Sequence, residues 1–192
     1  MEESKYMKKH RALIIGGSAG SLDVLLKVLP NIKPGVPFPI IIVVHRKQGM
    51  DSLLTDLLSY RTTLKVKEAE EKEPILNGNI YIAPSDYHLL VERDFTFSLD
   101  YSEKINYSRP SIDVTFQSAA EAYKDGLVCL LLSGSNADGV NGLVSTNFFG
   151  GISLVQEPSS AQVSYMPEQA ILRTNVNILK IEEMSTYINA IS

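Results

Sequence analysis

A hydroxyl, an imidazole and a carboxylate stand at three separated points of this chain, each just beyond an apolar run. Ser18 follows Ala12-Leu-Ile-Ile15-Gly-Gly, His45 follows Ile40-Ile-Ile-Val-Val44, and Asp138 lies in the loop after Leu127-Val-Cys-Leu-Leu-Leu132. Together such groups perform nucleophilic acyl transfer. A serine hydroxyl is weak alone; a histidine takes its proton, and a carboxylate fixes the imidazole tautomer and stabilises the imidazolium. The turn at Ser18 adds a second element. The N–H groups of Ala19 and Gly20 would sit where a helical pattern begins (Leu22, Leu25, Leu26, Leu29), at the positive end of its dipole, and form a candidate oxyanion hole. Each residue also has a plainer reading. Ser18 suits a helix cap or a ligand-binding hydroxyl, His45 can pack against a loop, and Asp138 before Gly139 can cap a helix or close a turn. The set gains weight because all three sit at strand ends.

The elements that must position them follow from periodicity. Residues 11–15 read as a strand and 21–29 as a helix. Pro30, Pro34, Pro37 and Pro39 mark a loop. Residues 40–44 are β-branched without alternation, as in a strand covered on both faces of a parallel sheet. A helix over 51–60, a short strand near 64–67, a charged connection over 68–73 and a strand over 79–83 follow. Alternation over 88–92 and 95–100 around Arg93-Asp94 predicts an antiparallel hairpin. Residues 102–110 read as polar loop, and Ser111 as the cap of a helix over 112–124. A strand over 127–132, a helix over 139–147, a strand over 152–155, a short helix over 169–173 and a helix over 182–191 complete the pattern. The fold class is therefore α/β: a doubly wound, mostly parallel sheet with helices on both faces and a small antiparallel hairpin. In such a sheet the carboxyl ends of the strands share one edge, where ligands bind.

Other chemistries fit less well. A P-loop needs Lys-Ser/Thr after its last glycine, and no lysine appears before Lys27. A dinucleotide fold needs G-x-G-x-x-G and an acidic residue ending the second strand; here that strand ends in His45-Arg46. His88 is a rim or structural histidine and a reserve base, and His10 falls in a terminal segment. No Cys/His/Asp cluster has metal-ligand spacing, so no metal is expected.

The 192 residues, 44% of them apolar, suffice for one domain, expected over residues 11–192 behind a flexible tail at 1–10. The net charge of −4 without a basic stripe argues against a nucleic-acid partner. No apolar run spans a bilayer, and the one after the charged N-terminus is too short for a signal peptide. Cys129 stands alone in an apolar strand. It reads as a buried structural thiol in a cytoplasmic protein.

Several motifs recur in one order. They are Ile15-Gly-Gly-Ser18-Ala-Gly-Ser, Val43-Val-His45, Tyr81-Ile-Ala-Pro-Ser-Asp-Tyr-His88, Arg109-Pro-Ser-Ile-Asp-Val114, Leu132-Ser-Gly-Ser-Asn-Ala-Asp138-Gly139 and Met166-Pro167. Over residues 11–173 the chain resembles the catalytic domain of CheB-type chemotaxis methylesterases. The resemblance implies a serine hydrolase that removes methyl esters from chemoreceptor glutamates. Many members also deamidate receptor glutamines. It places nucleophile, base and carboxylate on Ser18, His45 and Asp138, implies no cofactor, and names the cytoplasmic domain of a methyl-accepting chemoreceptor, or a similarly methylated protein, as partner. The chain departs from the family at Ala19, where threonine is usual, and in Gly134-Ser-Asn-Ala-Asp138. That loop is expected to touch substrate, with Ser135 beside Ala19 and Gly20. If the chain is complete, the receiver domain that usually precedes the catalytic domain, and with it phosphorylation control in cis, is not expected. The departures leave an alternative, a diverged, non-catalytic module that binds a partner.

Overall fold

The computed structural model describes residues 11–46, Gly49 and 51–192, without the side chain of Asp51. The expected tail at 1–10, with His10, lies outside the described residues. Strands β1 (Ala12–Gly17), β2 (Ile40–Val44), β3 (Lys65–Glu68) and β4 (Asn79–Ile82) are followed by a two-stranded antiparallel unit of β5 (His88–Val91) and β6 (Phe97–Asp100). Then come β7 (Leu127–Leu131), β8 (Ile152–Gln156) and β9 (Asn177–Leu179). Apart from the β5–β6 unit, the strands form a seven-stranded parallel sheet in the order β3-β4-β2-β1-β7-β8-β9. The helices are α1 (Ser21–Val28), α2 (Asp51–Ser59), α3 (Ile112–Tyr123), α4 (Val140–Phe148), α5 (Tyr165–Arg173) and α6 (Ile181–Ala190).

Side chains alternate across a strand, so β1 feeds two cores. Leu13 and Ile15 pack with Val24 and Leu25 of α1, Leu58 of α2, and Met184 and Ile188 of α6. Ala12 and Ile14 face Ile112 and Phe116 of α3, Val140 and Leu143 of α4, and Leu89 and Phe97 of the β5–β6 unit. β2 is buried at every position, which explains why it shows no polar alternation. Burying one such side chain is worth roughly 1.5–3 kcal/mol, so this sandwich, rather than helix propensity, holds the short helices in place.

β1 lies between β2 and β7. The chain leaves it through α1 on one face and reaches β7 through α3 on the other. The winding therefore reverses between β1 and β7 and leaves a crevice beyond their carboxyl ends. Into it project the segments after β1, β2 and β7, which carry Ser18, His45 and Asp138.

Two elements differ from the sequence reading. β9 was not expected: it is an edge strand of three residues, with Asn177 and Ile178 exposed, and shows no alternation. α5 starts at Tyr165 rather than near Gln169, because Pro167 falls in the first turn, where a missing N–H costs no helical hydrogen bond.

Candidate active site

β1 runs into the Gly17-Ser18-Ala19-Gly20 turn, and neighbouring strand ends hold that turn on both sides. The Ser18 N–H donates to Ser133 O (2.9 Å), and the His45 N–H donates to Gly17 O (3.2 Å). Ser21 begins α1 and closes the turn, its N–H and its Oγ both donating to Ser18 O (3.0 and 2.6 Å). Gly20 precedes the helix at φ +84°, a left-handed conformation that favours glycine, with Gln162 and Ser133 against its α-carbon. Ser133, fully buried, places its Oγ 2.7 Å from Ala19 O and accepts from the Val163 N–H (2.9 Å), joining the β1 and β7 loops to the segment before α5.

Ser18 is half-buried, and among the described residues its hydroxyl makes no hydrogen bond. The N–H groups of Ala19 and Gly20 are likewise unengaged among the described residues. Gly134 presses on the same turn: a side-chain carbon there would lie 3.1 Å from Ser18 Cβ and 2.7 Å from Met166 Sδ, so any side chain would push on Met166 and on the Ser18 turn. Ser135 is exposed beside it and contributes no hydrogen bond to the site among the described residues.

His45 and Asp138 are brought together, Nε2 to Oδ2 at 2.7 Å. Asp138 is fully buried at the N-terminus of α3 and accepts further bonds there. The Ile112 N–H donates to Oδ2 (2.7 Å), while Ser111 Oγ (2.8 Å), the Asp113 N–H (3.1 Å) and Asn106 Nδ2 (3.2 Å) donate to Oδ1. Burial alone would raise its pKa. The hydrogen bond and charge of His45 and the backbone donors of the helix terminus outweigh that, holding the carboxyl below its ordinary value. Asp138 thus stays ionised and orients the ring. Because Nε2–H is given to the carboxylate, the lone pair falls on Nδ1.

That lone pair faces Ser108, whose Oγ lies 3.3 Å from His45 Nδ1. Ser108 ends a tight turn in which Ile105 and Ser108 exchange backbone hydrogen bonds (3.1 and 2.9 Å), with Asn106 and Tyr107 at φ 50° and 61° between them. The turn borders a pocket of about 460 Å³ lined by His45, Arg46, Asp86, Lys104, Tyr107, Ser108 and Arg109. Arg109 is committed to the wall. Its Nε and one terminal nitrogen hold Asp86 Oδ1 (3.2 and 2.7 Å), another donates to Ser102 O (2.7 Å), and its plane stacks on Tyr101. The guanidinium keeps the Asp86 carboxyl below its ordinary pKa.

The structure thus joins His45 to Asp138 and sets Ser18 on the adjoining strand end, but does not hydrogen-bond Ser18 to His45. His88 is not a second base. It is fully buried, bonded from Nε2 to Glu103 O (2.8 Å), and its Nδ1 accepts the Ser111 N–H (3.1 Å), so both nitrogens anchor the loop leading to α3. Sequence reasoning took residues 102–110 as plain loop and missed Asn106 and Ser108. It read Ser111 as a helix cap only, which it also is, accepting from the Val114 N–H. Among the described residues no cluster of three or more His, Cys, Asp or Glu could hold a metal ion, and no helix is long and apolar enough to cross a membrane.

The family model described as CheB methylesterase matches residues 13–188. A protein of Leptospira interrogans is 41% identical over 177 residues, 92% of each chain. The protein-glutamate methylesterase/protein-glutamine glutaminase of Thermotoga maritima is 35% identical over 84% of this chain, and that of Nitrosomonas europaea 33% over 94%. The chain spans about half the length of these last two, 48% and 51%. In structure it matches the crystallised catalytic domain of the Thermotoga maritima CheB methylesterase with a TM-score of 0.91 at 31% identity, covering 95% of this chain and 99% of that one.

Proposed function

This chain belongs to the CheB methylesterase family, and from that premise we propose that it is a protein-glutamate methylesterase: a serine hydrolase whose substrate is the methylated cytoplasmic domain of a chemoreceptor or a similarly methylated protein. The observation that carries the reading is the 2.7 Å pairing of His45 with a buried, ionised Asp138 beside the Ser18 turn. Residues 11–192 act as one catalytic domain, in the cytoplasm, without cofactor.

The chemistry follows from the residues. Ser18 takes the place of Ser108 on His45 Nδ1, gives up its proton there and attacks the ester carbonyl. The N–H groups of Ala19 and Gly20, unengaged among the described residues, receive the developing oxyanion. Removing one such donor costs roughly 3–4 kcal/mol in barrier. The imidazolium, stabilised by Asp138, passes its proton to the departing methanol. His45 then deprotonates a water that opens the acyl-enzyme to the glutamate carboxylate. Glutaminyl substrates would follow the same path with ammonia leaving, in keeping with the glutaminase named for the relatives. Ser135 lies where a bound segment would pass the Ser18 turn.

The test is methanol release from a methylated receptor fragment. Release by the wild type and none by Ser18→Ala is expected. A Ser18→Ala variant as fast as wild type would overturn the reading, and a folded wild type that releases none would favour a partner-binding module.

A further inference from the structure

Asp113 is an acidic group the chemistry above does not use. It is 4% exposed and lies against Asp138 at the start of α3. Its Oδ1 accepts the Gly142 N–H (2.8 Å), and the Gly139 backbone adds a donor. Burial, reinforced by the Asp138 charge, pushes its pKa up to about 6. Two carboxylates therefore share one interior, and among the described residues His45 hydrogen-bonds to Asp138 and not to Asp113. Between them stands one amide. Asn106 Nδ2 donates to Asp113 Oδ2 (3.1 Å) and to Asp138 Oδ1 (3.2 Å), and an amide has two N–H bonds, one for each carboxylate.

We propose that Asn106 is a positioning residue: one side-chain amide that keeps two neighbouring carboxylates ionised together and ties the pocket-lining turn to the acid that orients the base. This rests on the reading of His45 and Asp138 as base and orienting carboxylate. Turn geometry does not account for the side chain. Glycine would serve the left-handed backbone at φ 50° as well, and Asn106 is an exposed residue whose amide nonetheless points inward rather than to its own backbone. The donors on Asp138 from Ser111, Ile112 and Asp113 belong to the start of α3; Asn106 is the donor that arrives from the turn. That turn also places Tyr107, almost fully exposed, at the edge of the pocket and Ser108 onto His45 Nδ1. The Asn136 amide, 3.4 Å from Asn106 O, fastens it to the loop before Asp138 as well. A substrate that moves the turn would thus be felt at Asp138, and Asn106 is the link.

Among the described residues the titratable group hydrogen-bonded to the pair is His45, and the two carboxylates act on each other, so loss of the amide has a definite sign. Both carboxyl pKa values rise. The test uses the full chain with carbon-13-labelled aspartate carboxyls and follows the Asp113 titration, assigned with Asp113→Asn. Asn106→Gly, which suits the turn, and Asn106→Asp, which keeps the shape and removes the donor, are each expected to move the Asp113 midpoint upward by roughly one pH unit. Labelling of Ser18 by a serine-reactive phosphonate at neutral pH is expected to slow about tenfold in Asn106→Gly, the equivalent of roughly one pKa unit of lost support. An unmoved midpoint in both variants overturns the proposal, and so does a moved midpoint with wild-type labelling. If the wild type takes no label, the esterase reading fails, while the carboxyl titration still decides whether Asn106 holds the pair.

Discussion

Asp113 and Asp138 share a network yet their pKa values are displaced in opposite directions, and the contrast gives a pH signature. The folded-state pKa of Asp113 is raised from 3.8 to about 6. The folded state therefore binds the proton more tightly than the unfolded chain, and the stability this lends is present at low pH and lost as pH rises through about 6. A shift of this size, from 3.8 to about 6, corresponds to about 3 kcal/mol. Asp138 behaves conversely: its pKa is depressed, so its contribution is present above the unfolded value and is lost as pH falls through the folded one. Subtracting the urea stability of Asp113→Asn from that of wild type isolates the first effect. The difference is expected to fall by up to about 3 kcal/mol between about pH 4 and about pH 7, and a flat difference would contradict the buried, raised carboxyl. At the same scale, Asp138→Asn keeps the shape but misassigns the His45 tautomer. It is expected to fold and to lose about ten-thousand-fold in methanol release, with circular dichroism as the check on folding.

At the scale of elements, the start of α3 both caps a helix and builds the acid. Ser111 accepts from the Val114 N–H and donates to Asp138, so Ser111→Ala should cost about 1 kcal/mol as a lost cap and, separately, lower activity by loosening Asp138. Wild-type turnover in a destabilised Ser111→Ala would mean that the hydroxyl serves the helix alone. Gly134 makes the matching contact at the β7 loop. Gly134→Ala is expected to destabilise the protein by about 1–3 kcal/mol and to displace Ser18, since Met166 and Ser18 Cβ crowd the position. The sequence reaches these elements unevenly. Ser18, His45 and Asp138 are legible because each ends or follows a strongly apolar strand, and parallel winding puts strand ends on one edge. Asn106 and Ser108 are not, because a two-residue left-handed turn in polar loop has no periodicity, and what it reaches depends on β5, β6 and α3 packing beneath it. His88 misleads for a related reason: the histidine next to a motif lies under the loop rather than in the pocket. The Asn106-Tyr107 pair within Ile105-Asn-Tyr-Ser108 is a weak signal of a turn that favours left-handed residues, and Ser111 before Ile112 shows the cap but not the carboxylate it also serves.

For the whole molecule, the site depends on a sheet whose two cores meet at β1. Phe116 of α3 is fully buried and packs against Gly16 of β1 and Gly142 of α4, so it sets the distance between the helix that holds Asp138 and the strand that delivers Ser18. Phe116→Ala is expected to cost about 3–5 kcal/mol, a large share of the roughly 5–15 kcal/mol that stabilises a domain, read as a lower urea midpoint with activity falling before global unfolding. The central claim concerns which hydroxyl the base serves, since at rest Ser108, not Ser18, faces His45 Nδ1. Reaction of the folded protein with a serine-reactive phosphonate, followed by mass-spectrometric mapping of the adduct, decides it. The account predicts a single adduct on Ser18, lost in His45→Ala and retained in Ser108→Ala. An adduct on Ser108, or labelling of Ser18 that persists without His45, would contradict it.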